Sequence, residues 1–203
     1  MSPTATATRP RVEGERATQI HEAVIRLLVE HGYDKLTFDA VAAEVRASKA
    51  TLYRKWPTKA ALVVEAVVET ICPSVLERSD TGSLRGDLLS GACQDRGLTE
   101  GLPSLIGAVM PALHRDEELY REFRTRFVEP MTSEAQAIFR RAQERGEIGP
   151  HADLERLAGI LPAMCVHQAV LFGRDCDVAD ITAIVDEVVL PASRATLPLT
   201  HTP

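Results

Sequence analysis

The sequence predicts an all-α protein of about nine to ten helices, in which a small N-terminal helix-turn-helix unit precedes a larger helical part. Three observations support this prediction. Apolar residues recur at helical spacing through most of the chain, and no stretch alternates apolar and polar residues for long enough to form a strand. Three helix starts fall within about 20 residues near the N-terminus, and glycine, proline or aspartate separates the later segments.

The length of 203 residues suits a small domain joined to a larger one. Residues 1–12 begin MSPTATATRP, a small and polar stretch that we expect to be a disordered arm. We place a helix-turn-helix domain at 13–60 and a second helical domain at 61–203. The arm lacks the apolar core of a signal peptide, and no run approaches the roughly 18 apolar residues of a membrane span. We therefore expect a cytoplasmic protein without a membrane partner.

The first helix is predicted between Gly14 and Gly32, and Gly32 can end it. Its apolar positions form one stripe: Ile20, Ala23, Val24, Leu27 and Leu28. Thr37 is a suitable N-cap for a short second helix, TFDAVAAEV, and Asp39 lies in the first turn, where the helix dipole favours an anion. The inward face of this second helix would carry Phe38, Val41, Ala42 and Val45.

Ser48 is the next N-cap and opens another short helix, KATLYRKW, in which Leu52 and Trp56 are four residues apart and face inward. Thr58 caps a fourth helix that begins KAALVVEAVVETI, and Pro73 should kink or end it. Short helices bury too little surface to be stable alone, so these two must pack on the first and fourth helices. The result is a compact helix-turn-helix unit.

Six further segments carry apolar residues near helical spacing. They are SLRGDLLSGACQDRGL, LPSLIGAVMPALHRD, EELYREFRTRFVEPM, SEAQAIFRRAQERGEI, DLERLAGILPAMCVHQAVLF and VADITAIVDEVVL. None of them is interpreted as a strand, and we find no repeat at a fixed period. The second part of the chain is therefore also predicted to be helical throughout.

The formal net charge of -6 conceals an uneven distribution of charge. Residues 1–60 hold ten Lys or Arg against seven Asp or Glu, whereas residues 61–203 hold 13 Arg, no Lys and 22 acids. Within the first part, residues 46–59 hold five cations and no acid. A small cationic face on an acidic body indicates a localised contact with a polyanion, for which nucleic acid is the first candidate.

The segment SKATLYRK has the side chains that a helix needs in order to read the major groove of DNA. Ser48, Lys49 and Thr51 lie in its first turn, where side chains reach base edges or phosphates, and Lys49 is long enough to reach guanine O6 and N7. Tyr53 and Lys55 lie further along and can bind the DNA backbone. A solvated basic face is the alternative, and Tyr53 alone could be half-buried packing. The combination with two capped short helices favours DNA binding.

Residues 16–66, with T-x-x-x-V-A-x-E at 37–44 and S-K-A-T-L-Y-R-K-W-P-T-K-A-A-L at 48–62, resemble the DNA-binding domain of the tetracycline-repressor (TetR) family of bacterial transcriptional regulators. The resemblance implies a homodimer that binds a double-stranded DNA operator through its N-terminal helices. It also implies a divergent helical C-terminal domain that dimerises and binds a small-molecule inducer. The predicted DNA-binding residues are Thr37, Arg46, Ser48, Lys49, Ala50, Thr51, Tyr53, Arg54, Lys55 and Lys59.

Two positions depart from the pattern of the family. The turn is Arg46-Ala47, where the family commonly has glycine followed by an aliphatic residue, and Ala50 stands where glycine is frequent. Arg46 could make the turn less favourable or add a phosphate contact. The arm carries Arg9 and Arg11, which could enter a minor groove, although a disordered tail is the alternative.

The resemblance also guides the interpretation of the acidic part. In this family the last two long helices usually form a four-helix bundle with their symmetry mates, so we place the interface on SEAQAIFRRAQERG and DLERLAGILPAMCVHQAVLF. The candidate interface residues are Ala135, Ile138, Phe139, Leu157, Leu161, Met164, Gln168 and Leu171. An intramolecular core explains the same apolar residues equally well.

A mostly apolar ligand pocket with few polar groups could lie among the C-terminal helices. The candidate lining residues are Met110, Leu113, His114, Tyr120, Phe123, Phe127, Cys165 and His167. Ordinary packing is the alternative for each of them, with a surface position for His114 and a core or interface position for His167. The predicted function is a ligand-responsive DNA-binding regulator, most commonly a repressor in this family, that a small and mostly apolar effector releases from DNA.

Other classes of function have weaker support. HEAVI at 21–25 begins like the zinc-protease motif H-E-x-x-H but has Ile25 in place of the second histidine, and no phosphate-binding glycine motif or nucleophile elbow occurs. We therefore expect no enzyme, no metal site and no cofactor. Cys72, Cys93, Cys165 and Cys176 include no C-x-x-C pair and are predicted to be reduced thiols. A thiol-based redox sensor and a scaffold that acts through a protein partner are the alternatives.

Overall fold

The computed structural model describes residues 9–71, 80–94 and 102–196, and every regular element in these ranges is helical. The elements are α1 (Arg9–Lys35), α2 (Phe38–Glu44), α3 (Lys49–Lys55), α4 (Lys59–Ile71), α5 (Leu84–Gln94), α6 (Leu102–Leu113), α7 (Glu117–Phe123), α8 (Glu129–Glu144), α9 (Leu154–Phe172), α10 (Val178–Ile184) and α11 (Leu190–Arg194). π-Helical turns join α7 to α8 and α10 to α11. The all-α prediction is confirmed. Within these ranges, no helix is both long enough and apolar enough to cross a bilayer.

The first helix differs from its prediction at both ends. α1 begins at Arg9, inside the predicted disordered arm of residues 1–12. Pro10 does not prevent this, because the first turn of a helix has no use for its missing N–H. Gly32 interrupts the helix as predicted, with φ 76° and ψ 165°, and one further turn follows it. The predicted kink at Pro73 lies outside the described residues.

Each π-helical turn is followed, after one intervening residue, by a proline. The turn Arg124–Val128 ends where the Glu129 N–H donates to the Arg124 carbonyl, and Pro130 follows. The turn Val185–Val189 ends where the Leu190 N–H donates to the Val185 carbonyl, and Pro191 follows. A proline inside an α-helix would clash with the carbonyl four residues earlier, and a π turn widens the helix at that point. The helices therefore continue through both prolines.

The buried residues form two cores. The first core includes residues of α1 to α4 together with Leu105 and Val109 of α6 and Leu119 of α7. The second core is formed by residues of α5, α8, α9, α10 and the second π-helical turn. The first core thus extends beyond the predicted domain boundary at residue 60, because α4 packs on α1 on one side and on α7 on the other.

A buried carboxylate fixes α5 in the second core. Asp87 is fully buried, and its Oδ1 accepts hydrogen bonds from the Thr81 N–H and hydroxyl, both at 2.7 Å. Its Oδ2 accepts a hydrogen bond from Arg145 Nη2 at 3.2 Å. Burial acts to raise the pKa of Asp87, but the hydrogen bonds from Thr81 and Arg145 outweigh burial and lower it. The ionised group therefore stabilises the junction of α5 with the end of α8.

Candidate DNA-binding face and ligand cavity

Most of the predicted DNA-binding residues lie on or beside the second short helix, α3, and face solvent. Nine of the ten are exposed: Thr37, Arg46, Ser48, Lys49, Ala50, Thr51, Tyr53, Arg54 and Lys55. The tenth, Lys59, is half-buried. Leu52 and Trp56, predicted to face inward, are 0% and 2% exposed and lie in the first core. The inward anchors leave the rest of the α3 surface free for a partner.

Side-chain hydrogen bonds cap the N-termini of both short helices, as the sequence predicts. The Thr37 hydroxyl accepts from the Ala40 N–H at 3.2 Å, and the Ser48 hydroxyl accepts from the Thr51 N–H at 3.2 Å. Thr58 caps α4 in the same way by accepting from the Ala61 N–H at 3.1 Å. Such caps typically contribute about 1 kcal/mol each to helix stability. They define where each short helix begins.

The turn between α2 and α3 has the hydrogen bonds of a Schellman motif. The Ala47 N–H donates to the Ala42 carbonyl at 2.9 Å, and the Arg46 N–H donates to the Ala43 carbonyl at 3.3 Å. This motif requires a left-handed residue after the helix, and Arg46 has φ 51°. Among the described residues it is the only non-glycine residue with positive φ. Arg46 therefore takes the left-handed conformation that favours glycine, and this conformation strains it.

Two contacts orient Lys49, a candidate for reading bases, and Tyr53, a candidate for binding the DNA backbone. Lys49 Nζ lies 2.9 Å from Asp39 Oδ2, and the hydrogen bond with Asp39 raises the pKa of Lys49. The Tyr53 ring stacks on the Phe38 ring with centroids 4.2 Å apart, and the Tyr53 side chain remains 46% exposed. Both α3 side chains are therefore supported by α2 while their polar ends face solvent.

The two lysines that follow are engaged within the protein. Lys55 Nζ lies 3.3 Å from Glu65 Oε1 of α4 and 4.5 Å from the centroid of the Trp56 ring. Lys59 Nζ donates to the Tyr33 carbonyl at 3.0 Å and lies 4.0 Å from the centroid of the Tyr33 ring. These ammonium groups stabilise the junctions of α3 with α4 and of α1 with α4.

A cavity of about 450 Å³ lies between the two cores. Val67 of α4, Leu105 and Val109 of α6 line it from the first core, and Phe139, Leu157 and Ile181 line it from the second. Among the predicted pocket residues, Met110, Phe123, Phe127 and Cys165 belong to the lining. Leu113 packs against the first core instead. His114, Tyr120 and His167 are exposed and do not belong to the lining, so these three assignments are corrected.

Three of the eight candidate interface residues lie inside the subunit. Ile138 and Phe139 are each 1% exposed and Leu157 is 7% exposed, which leaves little surface for a partner chain. Ala135, Phe139, Leu157 and Leu161 line the cavity, and Met164 packs against the second core. Gln168 is half-buried and accepts a hydrogen bond from Arg174. Only Leu171, at 66%, is strongly exposed. Ala135, Leu161, Met164 and Gln168 are half-buried, so the interface assigned to these two helices stays a prediction.

The cavity also includes residues that the sequence did not single out. Val67 lies in the middle of α4, and Thr132 and Glu155 supply the polar groups together with Cys165. The strongly apolar composition of α4 was the available signal for Val67, since a helix with apolar residues on more than one side must be covered on more than one side. Nothing in the sequence distinguishes Thr132 or Glu155 from other polar residues on helices.

Two of the four cysteines come together beside the cavity. The Cys165 thiol on α9 and the Cys176 thiol after α9 are both free and lie close enough to affect each other's pKa. Burial raises the pKa of the Cys165 thiol to about 12 and also raises the pKa of Cys176. Thiolate, the reactive form, is therefore scarce, which disfavours a fast redox sensor. Among the described residues, no cluster of three His, Cys, Asp or Glu could hold a metal ion.

Comparison with known protein families agrees with this architecture. The profile of "Bacterial regulatory proteins, tetR family" matches residues 20–66, which cover most of α1 and all of α2 and α3. The profile "Tetracyclin repressor-like, C-terminal domain" matches residues 78–188, which include most of the helices that form the second core. The two profiles together cover both the exposed α3 face and most of the cavity lining.

Individual relatives agree over nearly the whole chain. An uncharacterised HTH-type transcriptional regulator of Mycobacterium tuberculosis is 38% identical over 188 residues, with 91% of each chain covered. A DNA-binding transcriptional repressor of Mycobacteroides abscessus is 34% identical, covering 86% of this chain and 92% of the relative.

Solved structures share the fold. The crystal structure of a TetR family transcription regulator has a TM-score of 0.63 and 27% identity, covering 86% of this chain and 97% of that chain. Salmonella enterica GusR has a TM-score of 0.65 at 19% identity, covering 94% and 96% of the two chains. Members of the family identified by these matches are DNA-binding regulators and not enzymes. The chain is therefore a member of the TetR family of helix-turn-helix transcriptional regulators.

Proposed function

We propose that the protein represses transcription as a homodimer on a near-palindromic operator, and that a small, mostly apolar effector in the cavity releases it. The observation that carries the proposal is the exposed row of Ser48, Lys49, Thr51 and Tyr53 on a helix anchored by buried Leu52. A rigid helix with polar residues at its start is the arrangement that reads a major groove. The repressor named among the relatives supports repression over activation.

Lys49 is the proposed base-reading residue. In the free protein its ammonium is held by Asp39, and both side chains are at least half exposed. Water screens such an exposed ion pair, so it is weak, whereas a contact with a guanine edge in the groove is strong and base-specific. Exchanging Asp39 for a guanine edge is therefore favourable. The contact with Asp39 restricts the orientation of Lys49 before DNA arrives.

Phosphate contacts are assigned to the side chains at the edges of α3. Arg46 and Arg54 are exposed and have no ion-pair partner in the described part of the chain, so their charges are available to DNA. The Tyr53 hydroxyl can donate to a phosphate while its ring stays on Phe38. Lys55 and Lys59 must first leave Glu65 and Tyr33 to make the same contact.

The proposed dimer surface is the exposed apolar end of α9 and the start of α10. Val170, Leu171 and Phe172 are 48%, 66% and 62% exposed, and Val178 is 48% exposed. Four large apolar side chains close together on a surface indicate a protein interface. A twofold dimer formed through this surface would present two α3 helices to DNA. To occupy adjacent half-sites, these helices must lie about 34 to 36 Å apart.

Helix α4 is the proposed link between effector and DNA. Val67 lines the cavity, and Glu65, two residues earlier on α4, lies 3.3 Å from Lys55 at the end of α3. An effector that fills the cavity and displaces α4 would move the support of α3. Effector binding then favours the conformer in which the two α3 helices no longer match adjacent major grooves.

The proposal is tested by fluorescence anisotropy with DNA from upstream of the protein's own coding region, at two salt concentrations. Lys49→Ala should weaken binding by about 1 to 3 kcal/mol, and Tyr53→Ala should also weaken it. Arg140→Ala is the matched control, because it removes one exposed cation of α8 that has no ion pair among the described residues. Binding that is indifferent to DNA sequence, or that Arg140→Ala weakens equally, would contradict the proposal.

A further inference from the structure

An acidic side chain lies on the face that the proposed function assigns to DNA. The side chain of Asp39, in the first turn of α2, is 71% exposed, and its Oδ2 lies 2.9 Å from Lys49 Nζ of α3. The stacked rings of Phe38 and Tyr53, with centroids 4.2 Å apart, hold the start of α2 against α3. A DNA group that the Lys49 ammonium contacts is therefore also within reach of the Asp39 carboxylate.

The carboxylate opposes a simple attraction to the DNA backbone. Together with Asp39, Lys49 adds no net charge to the exposed face, and a phosphate brought to the ammonium would approach the carboxylate as well. Arg46 and Arg54 have no such partner in the described part of the chain and are better placed to bind phosphates. The pair of Asp39 and Lys49 is therefore suited to selecting bases, and not to raising affinity for every DNA sequence.

The major groove offers few hydrogen-bond donors to a carboxylate. Its base edges present donors only at the amino groups of cytosine N4 and adenine N6. When Lys49 moves to a guanine edge, Asp39 loses its partner, and a carboxylate left without a donor in a contact that excludes water costs free energy. The cytosine paired with that guanine supplies the missing donor, because its N4 amino group lies beside guanine O6.

The spacing of the two side-chain atoms fits the spacing of the two base atoms. Cytosine N4 donates to guanine O6 within the base pair, at the usual N–H···O separation of about 2.9 Å. Lys49 Nζ and Asp39 Oδ2 are also 2.9 Å apart, so Nζ can lie on O6 while Oδ2 lies on N4. Guanine offers the ammonium two neighbouring acceptors, O6 and N7, whereas adenine offers N7 alone. The pair of side chains therefore fits G·C better than A·T.

We propose that Lys49 and Asp39 read one G·C base pair in each operator half-site as a unit, with Lys49 on guanine O6 and N7 and Asp39 on cytosine N4. The inference rests on the proposed function, since it requires α3 to lie in a major groove. Asp39 is then a specificity-determining residue. It adds nothing to the affinity for DNA in general, and it penalises each base pair that lacks the amino group at this position.

Selection of binding sites from a random DNA pool is the first test. The parent protein should select a motif with G·C at one position of each half-site, and Asp39→Ala should reduce the discrimination at that position by roughly tenfold. Glu44→Ala is the matched control, because Glu44 is an exposed acid of the same helix that pairs with Arg26 at 2.9 Å. It makes the same change of net charge and should select the parent motif.

A change in the DNA alone tests the same contact without altering the protein. N4-methylcytosine at the selected position keeps its pairing with guanine, and it replaces the amino hydrogen that faces the major groove with a methyl group. In anisotropy titrations, the parent should bind this operator roughly tenfold more weakly than the unmodified operator. Asp39→Ala should bind the two operators equally, because it has no carboxylate to receive the hydrogen.

The outcomes separate the inference from the proposed function. A motif that Asp39→Ala leaves unchanged, or that Glu44→Ala alters equally, would overturn the inference and leave the protein a sequence-specific DNA-binding regulator. A·T at the position that Asp39→Ala relaxes would also overturn it, as would a parent that binds the N4-methylcytosine operator as tightly as the unmodified one. If the parent selects no motif, α3 does not read DNA sequence, and the proposed function fails together with the inference.

Discussion

Arg126 Nη2 lies 3.2 Å from Glu65 Oε2, and this ion pair connects the cavity to the support of the DNA-binding helix. Arg126 lies in the first π-helical turn, and the residue after it in the chain, Phe127, lines the cavity. The other oxygen of Glu65 lies 3.3 Å from Lys55 Nζ on α3. Partial burial acts to raise the pKa of Glu65, but Arg126 and Lys55 outweigh it and lower the pKa. The ionised carboxylate of Glu65 therefore connects the cavity lining to α3, the DNA-binding helix.

The first prediction concerns the hold of Glu65 on Lys55. Glu65→Gln should tighten operator binding by about three- to tenfold, because it removes a carboxylate near α3 and frees the Lys55 ammonium for a phosphate. The magnitude of the salt slope of log K should rise by about one, as expected for one more phosphate contact. Anisotropy titrations at several salt concentrations measure both quantities.

The control for this prediction is Glu69→Gln, which removes an exposed acid one turn further along α4. The double variant Glu65→Gln with Lys55→Ala should lose the increase in operator affinity, since the ammonium freed from Glu65 is then absent. Equal tightening by Glu65→Gln and Glu69→Gln would show that net charge, and not the contact with Lys55, controls affinity.

The second prediction concerns Arg46 in its left-handed conformation. Arg46→Gly should stabilise the protein by about 0.5 to 1 kcal/mol in urea unfolding. The glycine relieves about 1 to 2 kcal/mol of backbone strain, and the greater freedom of the unfolded chain with glycine offsets only part of this gain. Gly146 serves as the internal comparison, since it follows α8 with φ 77° and its next residue, Glu147, makes the equivalent 2.9 Å bond to Ala142. Gly146→Arg should destabilise by a similar amount, and a destabilising Arg46→Gly would contradict this account.

Local features of the DNA-binding unit could be predicted from the sequence. The caps at Thr37 and Ser48 depend on residues three positions away, and the inward positions Leu52 and Trp56 depend on one turn of helix. The strain at Arg46 followed from the same local pattern once glycine was the expected residue. Short-range rules are sufficient wherever the deciding contacts are close in the chain.

The cavity could not be predicted in the same way, because it depends on helices that are distant in sequence. Phe139 and Leu157 belong to apolar faces that periodicity detects, but whether a partner chain or the same subunit covers such a face depends on tertiary packing. The sequence predicts a break between EELYREFRTRFVEPM and SEAQAIFRRAQERGEI, whereas the π-helical turn before Pro130 lets the helix continue from Glu129 to Glu144. Sequence patterns thus show where apolar faces and helix breaks lie more reliably than they show which residues cover those faces.

The third prediction concerns the exposed apolar end of α9. Leu171→Glu should convert the protein from dimer to monomer in sedimentation velocity at micromolar concentration, because a charge would be buried without a partner in the proposed interface. Val29→Glu is the matched control, as Val29 is 43% exposed on α1 and stands outside the proposed surface. A Leu171→Glu protein that sediments like its parent would contradict the proposed interface, provided that the parent is a dimer.

The fourth prediction concerns His21, which is 7% exposed and lies against Trp56 with ring centroids 5.8 Å apart. Burial lowers the pKa of His21 from 6.5, assisted by Lys55 and opposed by Glu65 and Glu69. The unfolded chain therefore binds a proton more readily, so the stability present above pH 6.5 is lost as pH falls toward the folded pKa. His21→Gln should reduce the change of the free energy of unfolding with pH in this range.

The measurement for His21 is the free energy of unfolding between about pH 5 and pH 7, where one proton changes the slope by at most about 1.4 kcal/mol per pH unit. The lowered pKa values of Glu65, Asp87 and Asp116 start from 4.5 or 3.8, so these groups act mainly at lower pH. His31→Gln, at an exposed histidine of α1, is the comparison variant. A parent protein with no slope in this range would refute the role of His21.

The fifth prediction concerns the thiol of Cys165 in the cavity. Because burial raises its pKa to about 12, only roughly one thiol in a thousand is ionised at pH 9, and the thiolate is the species that iodoacetamide attacks. Alkylation of Cys165, followed by peptide mass spectrometry, should be slow at pH 8 and its rate should still rise between pH 9 and pH 10. The same peptide in urea should react rapidly, and decan-1-ol, an apolar probe of the cavity, should slow the reaction only in the folded protein. Rapid alkylation of folded Cys165 at pH 8 would mean that the thiol is not buried as described, and the apolar character assigned to the cavity would then be wrong at this position.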